Sequence, residues 1–206
     1  EAVALRNFVS SQRPVVVVDY HSPVTITWRN YIFWPWLSQH GKGFSPDRHV
    51  AEAIAQDWAA ATLDETGQPF HAIYAYDTLP KQQCWSYGRL GILSFLMEIG
   101  DQCWFSGADV DTIGARIARG STCLMDRVLQ GPGVRGTVTD AVTGAPLVAE
   151  VRLLEMHSED VGPRLTDAEF GRYERLTLPV DLNIEVICTG YQSQAACVTV
   201  PPDGWA

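Results

Sequence analysis

The chain has 206 residues, a formal net charge of −9 at pH 7 and 46% hydrophobic residues, including seven Trp, seven Tyr and seven Phe. This content argues against a disordered chain and allows one large domain, or one medium and one small domain. The acidic balance argues against nucleic-acid binding, which needs basic patches. Because no apolar run approaches the roughly 18–20 residues of a membrane span, we expect no transmembrane segment.

The first 131 residues predict alternating helices and strands. In chain order these are a helix over 2–11, a strand over 15–20, an extended segment over 24–34, a helix from 45–47 to 61, a strand over 90–99 and a helix over 109–129. The strand VVVVDY is mostly apolar, which is typical of a strand covered on both faces. We therefore predict an α/β domain with a mixed sheet over residues 1–131.

The pattern changes after QGPG, residues 130–133, where Gly and Pro end the last predicted helix. Five short segments then predict strands, namely VRGTVTD, LVAEVRLLE, GRYERLTL, LNIEVICTG and QAACVTV. They predict a small all-β sandwich that forms a second domain over residues 132–206.

Five cysteines are present, and none forms a Cys-x-x-Cys pair, which argues against a zinc ribbon. Cys188 and Cys197 flank a predicted hairpin and could face each other across it. A disulfide there would be typical of an exported protein; free thiols are the alternative.

Two titratable residues end otherwise apolar strands. His21 follows VVVVDY, and Glu98 ends LSFLME. Each alone has a simpler interpretation, a structural histidine or an outward-pointing carboxylate. Together they predict a site, because ligands collect at the carboxyl ends of strands in open α/β sheets. Imidazole is a zinc ligand and carboxylate a proton acceptor, so the pair suits metal-assisted hydrolysis.

Several segments in order resemble the zinc metallocarboxypeptidases related to carboxypeptidase A. ALRNFV, an apolar strand and HS resemble the segment that supplies the third zinc ligand, and IFWPW resembles the family's Tyr-Pro-Trp. YAYDTLPKQQCWSYGRLGILSFLMEIG resembles the family's tyrosine, its Asp-Trp-x-Tyr element and the strand of the catalytic glutamate. The resemblance implies one zinc ion, with His21 as a ligand and Glu98 as general base and acid.

The same resemblance implies two substrate-binding residues. Tyr76 occupies the position of the mobile tyrosine that caps the substrate's terminal carboxylate, with Tyr74 as a rival two residues away. Gln83 occupies the position that tunes the pocket for the last side chain. The implied substrate is a peptide, and the implied location is secreted or periplasmic.

The second predicted domain resembles the transthyretin-like domain that follows the catalytic unit in N/E-type carboxypeptidases. VRGTVTDAVTGAPLVAEVRL matches its opening, Gly-x-Val-x-Asp-x-x-Thr-Gly-x-Pro-hydrophobic, and then has one residue, Val148, in the gap before Ala-x-Val where two are usual. The resemblance therefore covers nearly the whole chain.

The family's His-x-x-Glu ligand pair, which precedes the third ligand, is missing upstream of His21. His49 and Glu52 have this spacing but follow His21, at a predicted helix start where a solvated first turn is the simpler interpretation. We therefore expect the chain to be the C-terminal part of a longer enzyme, inactive alone, with the remaining zinc ligands outside it and the missing N-terminal half as a partner. The alternative is a catalytically inactive, carboxypeptidase-like binding module.

Overall fold

The structure is a computed structural model that describes residues 2–23, 29–35, 43–75, 81–100 and 106–206. The chain forms two compact units, each built from separate segments. The central unit comprises Val16–Cys84 and Leu93–Leu129, and the terminal unit comprises Glu1–Val15, Trp85–Ile92 and Gln130–Ala206. The sequence-based boundary between residues 131 and 132 stays a prediction.

The central unit contains a four-stranded mixed sheet. Its strands are β1 (Val16–His21), β2 (Tyr31–Trp34), β3 (His71–Tyr74) and β4 (Leu93–Glu98). They lie in the order β1-β4-β2-β3, with β1 parallel to β4, β2 antiparallel to β4, and β2 parallel to β3. The predicted mixed α/β character is confirmed.

Strand β1 differs from its expected environment. Among the described residues it pairs only with β4, so it is an edge strand of the sheet. Its first four residues are half-buried and its last two exposed, whereas β4 is buried from Leu93 to Met97. Strand β1 is therefore less buried than its apolar run predicts, and such a run alone does not distinguish an edge strand from a central one.

Helices α2 (Arg48–Ala61) and α4 (Gly107–Gln130) accompany this sheet. The Trp58 ring on α2 packs edge-on against Phe95 of β4 and Tyr20 of β1, with ring centroids 6.0 and 6.4 Å apart. The Tyr20 hydroxyl and the Ser121 hydroxyl on α4 share a 2.8 Å hydrogen bond. One sheet face is thereby covered by aromatic side chains.

Two further helices complete the described α structure. Helix α1 (Ala2–Gln12) matches the prediction over residues 2–11, although only Val9 among its residues is buried. Helix α3 (Gln82–Leu90) was not predicted as a helix. None of the described helices combines the length and apolar character needed to cross a bilayer.

The terminal unit contains two antiparallel sheets that contribute to one hydrophobic core. Strands β5 (Gly133–Thr137) and β7 (Arg172–Leu176) form one sheet; β6 (Glu150–Leu153), β8 (Asp181–Ile187) and β9 (Gln194–Thr199) form the other. A 3-10 turn covers Leu154–Met156. The core is formed by buried side chains of both sheets and the chain after β9, namely Val134, Val151, Leu153, Tyr173, Leu182, Ile184 and Val200.

Of the two alternatives for Cys188 and Cys197, a disulfide and free thiols, the structure has free thiols. The β8–β9 register sets Cys197 opposite Asn183, five positions before Cys188. At roughly 3.3 Å per residue, this offset separates the two cysteines well beyond disulfide reach. The hairpin exists, but its register does not bring the cysteines together.

Candidate active site on the mixed sheet

His21 and Glu98 lie side by side at the same edge of the mixed sheet. Strands β1 and β4 run parallel in a register that makes His21 and Glu98 Cα partners. Partners in neighbouring strands point to the same face, and strands lie about 4.8 Å apart. The sheet thus brings together the two residues predicted as zinc ligand and general base.

Asp19 orients the His21 imidazole. It precedes His21 by two residues on β1, so both side chains project from the same face. Asp19 Oδ2 lies 3.2 Å from His21 Nε2. When that nitrogen carries the proton, Nδ1 keeps its lone pair, which is the arrangement that metal-ligating histidines adopt.

Glu98 is half-buried at the end of β4. Its Oε2 is buried and has no hydrogen-bond partner among the described residues. Burial raises the pKa of the Glu98 carboxyl above its ordinary value, the charges of His21 and Lys81 oppose this shift, and that of Asp19 adds to it. A carboxylate with a raised pKa and an unsatisfied oxygen is suited to accept and return a proton.

A row of polar and aromatic side chains extends across the same face. Tyr31 on β2 is the Cα partner of Glu98, and His71 on β3 is the Cα partner of Tyr31. The Tyr31 and His71 rings are 5.0 Å apart. The row His21–Glu98–Tyr31–His71 therefore crosses all four strands and places aromatic and imidazole groups beside the carboxylate.

The sequence alone could have identified Asp19 as a neighbour of His21, but it could not have identified Tyr31 and His71 as neighbours of Glu98. Asp19 follows from the two-residue repeat of a strand that ends in a functional histidine. Tyr31 and His71 carry no such signal, because only the strand order and register place them next to Glu98. The central position of β4 between β1 and β2 decides that placement.

Of the residues predicted to bind substrate, the structure describes Gln83 and the alternative Tyr74. Tyr76 lies outside the described residues. Tyr74, its rival, projects from the opposite sheet face, because it lies three residues after His71, which shares the face of Glu98. The Tyr74 ring packs against the rings of Trp34 and Phe44. Gln83 is 1% exposed on α3, and its Oε1 is buried without a hydrogen-bond partner among the described residues.

His49 and Glu52 form part of a helix surface. His49 is exposed in the first turn of α2, and the Glu52 carboxylate accepts a 3.3 Å hydrogen bond from Arg48 Nε. This arrangement agrees with the simpler interpretation of His49 and Glu52, a solvated helix turn, and not with a pair of metal ligands.

The described residues fit one metal-ligand position and not a whole metal site. Over 2–23, 29–35, 43–75, 81–100 and 106–206, no three His, Cys, Asp or Glu side chains are grouped to hold an ion. His21, held by Asp19, is a suitable single ligand, and Glu98 is a suitable neighbouring base. Any further ligands would come from groups other than these.

The chain matches no protein-family model and no curated protein.

Proposed function

We propose that this chain belongs to a zinc-dependent metallocarboxypeptidase that removes C-terminal residues from peptides. In this proposal, residues 1–131 are the C-terminal part of a carboxypeptidase-like catalytic domain and residues 132–206 a transthyretin-like domain. The remaining zinc ligands lie outside the chain, which is inactive alone. The proposal includes a secreted or periplasmic location.

The observation that carries this proposal is the pairing of His21 with Glu98. The residue predicted as ligand and the residue predicted as base are register partners at the carboxyl ends of parallel strands, on one face. Asp19 Oδ2 lies 3.2 Å from His21 Nε2, where it can accept the imidazole N–H, and burial raises the pKa of Glu98; these are the features that the two roles require.

The chain's own residues would divide the work as follows. Asp19 fixes the His21 ring so that Nδ1 faces outward as a ligand. Glu98 Oε2 takes a proton from the attacking water and returns it to the leaving amine, and Tyr76 closes over the terminal carboxylate. When bound, zinc supplies a Lewis acid for the scissile carbonyl and makes water nucleophilic at neutral pH.

The rival function is a binding module without catalysis. The absence of a three-ligand group among the described residues is compatible with this rival and with a carboxypeptidase whose other ligands lie outside the chain. In the rival case the polar row on the sheet face would be a remnant, and the terminal unit would provide the interaction surface.

Elemental analysis and intact mass of the purified protein separate these functions. The carboxypeptidase proposal requires about one zinc per molecule, together with either a mass above 22.8 kDa or a second co-purifying chain. A zinc-free protein at that mass would contradict the proposal and favour the binding module.

Activity on matched peptides then tests the roles of His21 and Glu98 in the zinc-containing protein. N-blocked dipeptides with a free terminal carboxylate should be cleaved, and their C-terminal amides should not. Glu98→Gln should lower kcat by about 10²–10⁴-fold at unchanged zinc content, since it removes the general base. His21→Ala should lower the zinc content. The control Glu169→Gln, at an exposed position, should change neither kcat nor the zinc content.

Equal cleavage of acids and amides would argue against a carboxypeptidase. Full activity in Glu98→Gln would remove Glu98 from the mechanism.

A further inference from the structure

Strand β9 forms one edge of the three-stranded sheet in the terminal unit. Among the described residues it pairs only with β8, in an antiparallel register without a bulge. Every β9 residue is exposed except Val198, which is half-buried. The strand therefore presents a continuous outer edge to solvent.

The register identifies which backbone groups point outward from β9. Just beyond the strand, Val200 N–H donates to Val180 O at 3.0 Å. Because hydrogen-bonded pairs alternate along an antiparallel ladder, every second residue of β9 bonds β8. The remaining residues turn their N–H and C=O groups away from β8, and these are Ala195, Cys197 and Thr199. In agreement, Asn183 lies opposite Cys197 but donates its N–H to the Glu155 carboxylate.

The other edge of the same sheet is protected, whereas β9 is not. At that edge Val151 N–H of β6 donates to Arg164 O at 3.1 Å, and β6 carries the charged Glu150 and Arg152. Natural edge strands are usually covered, charged, bulged or interrupted by proline, which prevents pairing with another chain. The β9 sequence QAACVT has no charge and no proline. An edge left open in this way is a template for a further strand.

A second copy of this chain fits the β9 edge. When two β9 strands pair antiparallel about a twofold axis, outward-facing residues must lie opposite outward-facing residues. A register centred on Cys197 sets it opposite Cys197 of the second copy, and sets Ala195 opposite Thr199. This register uses all three outward-facing residues and forms about six backbone hydrogen bonds, two for each pair. The opposed side chains are small and uncharged, so none of them repels its neighbour.

The two cysteines at the centre of this register lie within reach of a disulfide. Cys197 is an exposed, free thiol. The Cα atoms of a hydrogen-bonded antiparallel pair are about 5.5 Å apart, which is close to the commonest separation in disulfides. Strand β9 has six residues, whereas stable interfaces use roughly 20–30 residues on each side. Strand pairing alone therefore gives a weak dimer, which the covalent bond makes stable.

We propose that two copies of this chain pair through their β9 edges and that a disulfide between their Cys197 residues links them under oxidising conditions. The oxidant is a small-molecule disulfide such as oxidised glutathione. The thiolate of one Cys197 attacks it and releases one glutathione; Cys197 of the second copy then attacks the mixed disulfide and releases the other. Two protein thiols are oxidised, and their protons pass to the two glutathione thiolates. The proposal does not rest on the peptidase function, because the dimer is measured without activity.

Addition of oxidised glutathione to the full chain tests this proposal. We expect a species of twice 22.8 kDa on non-reducing electrophoresis, which dithiothreitol reverses. Mass spectrometry should find Cys197 in both of the linked peptides. Cys197→Ser should remove the dimer, and Cys188→Ser should leave it. A monomeric glutathione adduct, or a link through another cysteine, would overturn the proposal.

A proline variant distinguishes strand pairing from chance collision of exposed thiols. Ala195→Pro removes an outward N–H that β8 does not use, so the strand should fold as in the parent. Its Cys197 should react with iodoacetamide at the parent rate, but the variant should dimerise at least about tenfold more slowly. Equal dimerisation rates would mean that the thiols meet without strand pairing, and would overturn the interface.

The register is tested in the Cys197→Ser background. Ala195→Cys in one copy lies opposite Thr199→Cys in the other, whereas the introduced thiols of two identical copies lie four positions apart along the strand, roughly 13 Å. A mixture of the two variants should therefore form mixed disulfide-linked dimers in preference to either homodimer. Dimers in statistical proportions would contradict the assigned pairing.

Discussion

Single aspartates hold the turns that connect the strands of the terminal unit. Asp140 Oδ1 accepts hydrogen bonds from the backbone N–H groups of Val142 and Thr143, at 2.9 and 2.6 Å, and from the Thr143 hydroxyl at 2.9 Å. The Tyr191 hydroxyl donates to Oδ2 at 2.8 Å, and Gly144 has a φ of +72°. The Asp-x-x-Thr-Gly spacing therefore has a physical cause, since it builds a tight turn.

We expect Asp140→Asn to destabilise the chain in a pH-dependent way. The Thr143 N–H bond, with the bonds from Tyr191, the Thr143 hydroxyl and Val142, lowers the pKa of Asp140 to about 2. An unfolded aspartate titrates near pH ~3.9, so the ionised carboxylate adds stability above that pH. This stability is lost as the pH falls through about 2, where the folded carboxyl takes up its proton.

Urea unfolding between pH 7 and pH 2 measures this effect. The midpoint of Asp140→Asn should be lower than that of the parent at pH 7, and the difference should shrink below pH ~4. The exposed Asp203→Asn serves as the matched change of charge. Equal midpoints of Asp140→Asn and the parent at pH 7 would show that the turn does not depend on the carboxylate.

Local pattern was sufficient for some residues of the candidate site and not for others. His21 and Glu98 could be predicted because each interrupts an apolar run at a strand end. Tyr31 and His71 could not, because their proximity depends on which strands pair and in which register. The Tyr173 hydroxyl is buried without a hydrogen-bond partner among the described residues, and this is a property of packing that residue spacing does not encode.

At the scale of elements, long periodic helices were predicted and short ones were missed. The helix over residues 109–129 appears as α4, Gly107–Gln130, because its apolar residues repeat over six turns. Helix α3 has only nine residues, QQCWSYGRL, with few apolar positions. Burial of Tyr87 and Gln83, which depends on tertiary packing, stabilises this helix although local propensity does not predict it.

Two glycines of α4, Gly114 and Gly120, allow the effect of close packing on stability to be separated from the effect of helix propensity. A Cβ added at Gly120 would overlap Thr62 Oγ1 and lie 3.1 Å from Trp58 Nε1, whereas one added at Gly114 meets nothing within 4 Å. Alanine is favoured over glycine in a helix interior by roughly 1 kcal/mol. At Gly120 the overlap should outweigh that gain, because Thr62 is fully buried and its hydroxyl already bonds Trp58 O.

We therefore expect opposite effects from two chemically identical substitutions in one helix. Gly114→Ala should raise the free energy of unfolding by about 1 kcal/mol, and Gly120→Ala should lower it by about 1–3 kcal/mol. Chemical denaturation monitored by circular dichroism measures both. A stabilised Gly120→Ala would mean that α4 does not pack closely on α2.

At the scale of the whole molecule, the two units are not continuous in sequence. Residues 85–92 belong to the terminal unit although the chain on both sides of them belongs to the central one. Two hydrogen bonds attach this segment to the rest of the terminal unit, from Gly162 N–H to Gly88 O at 2.8 Å and from Arg164 Nη1 to Gly91 O at 3.1 Å. No composition boundary marks such an exchange of segments, so the sequence could not predict it.

Gly162 makes this attachment possible because it has no side chain. A Cβ at Gly162 would overlap the Arg89 carbonyl group, which is backbone and cannot rotate away. Gly162→Ala should therefore push residues 85–92 away from the loop and cost about 1–3 kcal/mol of unfolding free energy. Gly136→Ala is the matched control, since Gly136 is exposed on β5 and an added Cβ meets nothing within 4 Å.

Peptide-resolved hydrogen exchange reports on the attachment itself, and urea unfolding reports on its contribution to stability. In Gly162→Ala the amides of residues 85–92 should exchange faster than in the parent, because local opening of that segment becomes easier. Gly136→Ala should leave this exchange unchanged. If both variants exchange and unfold alike, residues 85–92 are held by the rest of α3 and β4 instead, and the loop at Gly162 only covers them.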